Sequence, residues 1–126
     1  MTLRKLKVSE VAEVRHSLAA EQRWRCALCS GVMTVADTVL DHCHTTGAVR
    51  ASLHRSCNAL LGKVENNYRR YGVPNLAAWA QGMPSYLQHH SMNRTGLLHP
   101  THKTDEEKRL ARNAKARKAR AARKTT

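Results

Sequence analysis

Residues 40–62, LDHCHTTGAVRASLHRSCNALLG, hold three histidines, an aspartate, two cysteines and an asparagine in one short span. A core formed by packing alone has little use for such a set. Val39 to His42 and Ala48 to Leu53 are β-prone runs on either side of Thr45, Thr46 and Gly47, the composition of a hairpin loop. After Leu53, residues Cys57, Asn58, Leu60, Leu61, Val64 and Tyr68 recur at helical spacing, with Gly62 tolerated at a cost. The span therefore reads as strand, strand, helix.

The same residues offer two sets of ligands. His54 and Cys57 form an HxxC pair, and upstream Cys26 and Cys29 form CxxC in WRCALCSG. Two close pairs, each on a turn, are what a closed tetrahedral zinc site requires. Asp41, His42, His44 and Asn58 remain. A hard cation such as Mg2+ or Mn2+ takes oxygen ligands, which Asp41 and the Asn58 amide offer, and a neutral histidine beside it can take a proton from water. In an ideal strand Asp41 and His42 point to opposite faces, so both serve one site only if the strand twists or ends there, whereas His42 and His44 share a face.

These residues resemble the phage recombination endonuclease VII group of the HNH, or ββα-metal, nucleases, whose pattern is CxxC followed by LDHxHxTGxVRxxLCxxCNxxLG. The match runs through Ala27, Leu28, Leu40, Asp41, His42, His44, Thr46, Gly47, Val49, Arg50, Leu53, Cys57, Asn58, Leu61 and Gly62. It covers residues 18–62, with 68–88 suggestive of the family's following helix. The resemblance implies Cys26, Cys29, His54 and Cys57 as structural zinc ligands, Asp41 and Asn58 as catalytic-metal ligands, His42 as general base, and His44 as a holder of the scissile phosphate. It also favours a homodimer. Three departures stand out: His54 replaces the usual cysteine, Cys43 stands where an acid is common, and Leu61 where some members carry a carboxylate. Whether Glu65, two helical turns after Asn58, reaches the site is left open.

Composition sets bounds around this centre. A chain of 126 residues with 4% aromatics and no phenylalanine has a thin core, for which a zinc site is a natural staple. Two disulfides are the alternative use of four cysteines. The charged start MTLRKLKVSEV lacks an apolar signal region, so a reducing cytoplasm is expected, that of the host if the protein is phage-encoded. No run is apolar enough to span a bilayer. A net charge of +13 points to a polyanionic partner, DNA above all. A purely basic, ribosomal or chromatin-like protein fits the charge and leaves Asp41, His42 and Asn58 without a purpose.

Elsewhere, Ser9 reads as the N-cap of a helix to about Arg23, with Val11, Val14, Leu18 and Gln22 on one stripe, and Arg4, Lys5 and Lys7 offered to phosphates. Trp24 is expected beside the zinc knuckle. Residues 75–81 read as a short helix that Gly82 and Pro84 interrupt or kink. Thr104 and Glu107 make a capping box before residues 105–126, which carry nine Lys and Arg against three acids, a net +6.

The expected architecture is a small α+β protein: a zinc-stapled ββα-metal (His-Me finger) unit with flanking helices and a basic C-terminal helix. Its parts are a nuclease domain over 1–90, a linker over 91–104 and a basic helical tail over 105–126. Arg50, Arg55, Lys108, Arg109, Arg112, Lys115, Arg117, Lys118 and Arg120 are assigned to DNA phosphates. The expected activity is metal-dependent DNA hydrolysis, structure-dependent or of low specificity. The rival is a zinc-stabilised nucleic-acid-binding module without catalysis.

Overall fold

The computed structural model describes residues 2–125. One turn of 3-10 helix, Val8–Glu10, leads into α1 (Val11–Glu21). A second such turn, Val35–Asp37, precedes β1 (Thr38–His42), β2 (Val49–His54) and α2 (Arg55–Asn67), after which come α3 (Leu76–His89) and α4 (Asp105–Lys124). Among the described residues this is a small α+β protein with four α-helices and one two-stranded antiparallel sheet. The chain divides into two compact units, one ending at Gln81 and the other beginning at Gly82.

Ser9 is not a cap: it lies inside the 3-10 turn Val8–Glu10, whose N-cap is Lys7, and Glu10 is the N-cap position of α1. The Lys7 N–H donates to Glu10 Oε2 at 2.7 Å. The same carboxylate takes Arg4 Nη1 at 3.0 Å, so Arg4 is ion-paired. The Lys7 N–H, then Arg4, hold the Glu10 carboxyl below its usual range. A carboxylate at a helix N-terminus gains from the dipole as well as the hydrogen bond, which a serine hydroxyl does not. At the other end Arg23 (φ 57°) and Trp24 (φ 55°) turn left-handed. Trp24 N–H reaches the Ala19 carbonyl at 2.7 Å, closing the helix end and sending the chain into the cysteine turn.

The core is small, as the aromatic content implies: Ala19, Cys26, Met33 and Leu53 are buried, with Trp24, Cys57 and Leu61 packed against them. Gln22 does more than fill the α1 stripe. Its carboxamide takes both main-chain groups of Ser52, donating to the carbonyl at 2.8 Å and accepting from the N–H at 2.9 Å. The buried Ser52 hydroxyl donates to the Arg15 carbonyl at 2.7 Å, so α1 is bolted to β2 by polar contacts where apolar area is scarce. On α2, Cys57, Asn58, Leu61, Val64 and Tyr68 are half-buried, whereas Leu60 is 63% exposed. Leu60 lies at the margin of that stripe, about a quarter turn from its centre.

Of the two outcomes expected at Gly82 and Pro84, the interruption does not occur, since α3 continues to His89 with Pro84 inside it. A proline removes one N–H, and the leucine, alanine, methionine and glutamine around it favour the helix. Asn75 Oδ1 accepts from the Ala78 N–H at 3.0 Å and starts α3. Thr104 caps α4 as expected, accepting from the Glu107 N–H at 3.2 Å. Among the described residues no helix is long and apolar enough to cross a membrane.

Candidate functional site

The left-handed turn at Arg23 and Trp24 delivers Cys26 and Cys29 to a tight knuckle. Ser30 N–H donates to the Cys26 carbonyl and Cys26 N–H to the Gly31 carbonyl, both at 2.9 Å. Gly31 N–H points at Cys29 Sγ at 3.4 Å, and His54 N–H at Cys26 Sγ at 3.4 Å. His54 closes β2, and Cys57 follows in the first turn of α2. The ligand atoms of Cys26, Cys29, His54 and Cys57 all lie within 4.8 Å of one another. Four ligands about 2.0–2.3 Å from a central zinc have comparable separations, so this Cys3His cluster could bind zinc. All four cysteines of the chain are free, which disposes of the disulfide alternative.

The orientation of His54 follows from its surroundings. Nδ1 lies 3.2 Å from Cys29 Sγ and 3.9 Å from Cys57 Sγ, while Nε2 lies 2.9 Å from the Val32 carbonyl. A carbonyl only accepts, so Nε2 carries the proton and Nδ1 faces the sulfurs, the outer-sphere arrangement that fixes a ligand tautomer. A Cβ on Gly31 would lie 3.3 Å from His54 Cε1 and 3.4 Å from Cys29 Sγ, so glycine leaves room for the ring. Burial raises the Cys26 thiol, yet N–H donors from Cys29, His54 and Leu28 outweigh it and bring it down to about 6. The Val32 carbonyl, against burial and with Cys29, lifts His54 to about 9. Burial first, then Cys29 and Cys26, raise Cys57 to about 11.

The second set lies at the end of β1. Leu40 pairs with Ser52 but His42 with Val49, so Arg50 and Ala51 stand opposite the single residue Asp41. This bulge, with the strand ending at His42, interrupts the simple alternation of faces. Asp41 is 6% exposed, and its neighbour His42 is exposed. His42 and His44 lie together, with ring centroids 4.8 Å apart. Between them, Cys43 is half-buried. The Thr46 hydroxyl, then the main chain of Thr46 and Thr45, lower its thiol. Gly47 (φ 77°) makes the turn that returns the chain to Cys43. Asn58 is half-buried on α2, and Glu65, seven residues on, falls on the same face of that helix.

Asp41 and Glu65 meet through Arg50. Arg50 Nε and Nη2 donate to the two oxygens of Asp41 at 2.6 and 3.1 Å. Nη1 and Nη2 donate to the two oxygens of Glu65 at 3.0 and 2.9 Å. Glu65 first, then Asp41, raise the Arg50 guanidinium and keep it charged, and Arg50 in turn lowers the Glu65 carboxyl. Glu65 thus reaches the Asp41 neighbourhood, and Arg50, assigned to phosphates from the sequence, is engaged by two carboxylates. The available signal was the opposite charges of Asp41 and Arg50 across the hairpin; the bulge that sets them face to face has no marker in the residues.

Arg55 opens α2 and is exposed. Lys108, Arg109, Arg112, Lys115, Arg117, Lys118 and Arg120 are exposed along α4. Arg109 pairs with Glu106 at 2.8 Å on that open surface, where an ion pair is weak.

The family model described as recombination endonuclease VII matches residues 2–88, which include the Cys3His cluster and the Asp41, His42, His44, Asn58 and Glu65 positions. No curated protein matches the chain.

Proposed function

The chain belongs to the recombination endonuclease VII family, as a nuclease acting on DNA, and we propose that it is a metal-dependent endonuclease of the ββα-metal (HNH) type. The observation that carries this reading is the pairing of a nearly buried carboxylate, Asp41, with two adjacent exposed imidazoles, His42 and His44, at a bulged strand end. Asp41 offers the hard oxygen donors that a hard cation takes. Asp41 and Asn58 would hold Mg2+ or Mn2+. Such an ion supplies charge stabilisation for the phosphate and the leaving oxygen.

The chain's own part is proton transfer and positioning. A neutral His42 ring nitrogen takes a proton from water as the water oxygen bonds to phosphorus and a P–O ester bond breaks, the leaving oxygen collecting a proton from solvent. His44, beside it, holds the phosphate. Zinc on Cys26, Cys29, His54 and Cys57 keeps the scaffold and takes no part in the chemistry. The lysines, arginines and alanines of α4 offer charge without base-specific geometry, which favours resolution of branched DNA or nicking without strong sequence preference. An apolar groove of about 500 Å3 lined by Tyr68, Tyr71, Val73, Leu76 and Trp79 supports a homodimer. A phage origin and action in the host cytoplasm complete the reading.

The basic helix α4 engages phosphates. Each neutralised phosphate contributes about 0.9 to the slope of log affinity against log salt. Truncation at Thr104 should therefore flatten the slope by several units while the cut position stays; an unchanged slope would remove α4 from the interface.

Two observations favour a second reading, a DNA-binding module without catalysis: Leu61 replaces a carboxylate, and Arg50 covers Asp41. The deciding assay offers the zinc-loaded protein a four-way junction, a linear duplex and a single strand with Mg2+ or Mn2+. Cutting of the junction or duplex supports the endonuclease, and binding without cutting under either metal selects the module.

A further inference from the structure

Arg50 is the only cation that hydrogen-bonds Asp41 among the described residues, and it does so with a partner of its own. A guanidinium has five N–H donors; four hydrogen bonds run from Arg50, two to each carboxylate. Two acids and one base leave the trio with a single negative charge. The fork takes one lone pair on each Asp41 oxygen, and others remain. A divalent cation arriving at Asp41 therefore meets a carboxylate that is already half neutralised.

We propose that Arg50 is a built-in counter-ion which Asp41 shares with the divalent cation, and that Glu65 governs how fully Arg50 neutralises Asp41, so that the pair sets the cation affinity of the site. The proposal rests on the reading of Asp41 as a metal ligand and adds two positioning residues to it. Glu65 draws guanidinium charge away from Asp41. Without it, Arg50 serves Asp41 alone and the cation is disfavoured. Without Arg50, two uncompensated carboxylates remain and the cation is favoured. The substitutions thus act in opposite directions, which distinguishes this role from that of an ordinary surface ion pair. A lysine cannot substitute, since one ammonium does not make two parallel forks.

The test is a Mn2+ titration of full-length, zinc-loaded protein without DNA, read by the electron paramagnetic resonance of free Mn2+. Arg50→Gln should bind about tenfold more tightly than the native chain and Glu65→Gln about tenfold more weakly, the scale expected for one charge a few ångströms away in a partly solvated site. Asp41→Asn should abolish the binding. Equal affinities in the native, Arg50→Gln and Glu65→Gln proteins, with Asp41→Asn still abolishing binding, would overturn the counter-ion role and leave Asp41 as ligand. Binding that survives Asp41→Asn, or is absent from all variants, would overturn the ligand reading and this inference with it. Should either variant fail to retain zinc, the native chain alone suffices. The Arg50 Nε–H nitrogen resonance should shift on Mg2+ saturation, and a resonance that stays put overturns the proposal.

Discussion

The Cys3His cluster and the Asp41 cluster both draw on β2 and α2, the first adding the Cys26–Cys29 knuckle, yet they are built on opposite terms. In the first, three sulfurs and Nδ1 of His54 converge within 4.8 Å and main-chain N–H groups support the sulfurs. The positive charge that His54 brings among them belongs to a ligand, which must give up its proton before a metal binds. In the second, the carboxylate already has a cation, and it comes from the chain itself. A site completed by its ion is a structural element, because removing the ion leaves donors facing one another. A carboxylate balanced by its own arginine keeps its charge compensation without an ion.

The strongest test of this contrast is Cys26→Ser. Structural zinc contributes roughly 10–16 kcal/mol in small domains, and a core this small has no equivalent reserve. The substituted chain should lose its folded circular dichroism and zinc together, whereas Asp41→Asn should keep both; a folded, zinc-free Cys26→Ser protein would erase the distinction. His42→Ala should come next, slowing single-turnover cleavage by about 10²–10⁴ with zinc content unchanged. Retained cleavage would transfer the base role to His44.

Zinc uptake should depend on pH. In the metal-free chain His54, raised to about 9, and Cys57, raised to about 11, both hold protons at pH 7. Zinc needs a neutral imidazole and a thiolate, so uptake must release about two protons from this pair, and affinity should climb as pH rises from 7 toward 9. Calorimetry in buffers of different ionisation enthalpy counts them, and a count of zero would contradict the His54 geometry. The smallest expected effect is Gly31→Ala. The new methyl would press on a ring held by Val32 and on Cys29 Sγ, weakening zinc binding by about 1 kcal/mol, a mild overpacking cost measurable by chelator competition.

How far the residues alone reveal each cluster follows from how each is assembled. Cys26 with Cys29, and His54 with Cys57, are three apart, so a single turn brings each pair together and spacing is enough. The hairpin and α2 were readable for the same local reason. Asp41 with Arg50 depends on a slipped register, and Arg50 with Glu65 on how α2 leans against the sheet, neither of which leaves a periodic trace. Pro84 does not interrupt α3, since one lost N–H does not outweigh the helix formers beside it. Ser9 does not cap because the helical turn begins before it and the Glu10 carboxylate takes the Lys7 N–H.

The Gln22 carboxamide against Ser52 has a consequence for the solution behaviour of the nuclease. A sheet of only two strands has open rims on both sides, and an open rim can recruit the same segment from another molecule. Along β2, the Ser52 N–H and carbonyl directed away from β1 are both consumed by a side chain, leaving a second chain no partner there. Gln22 thus closes that point of the rim to a second strand, which a leucine of similar size could not do.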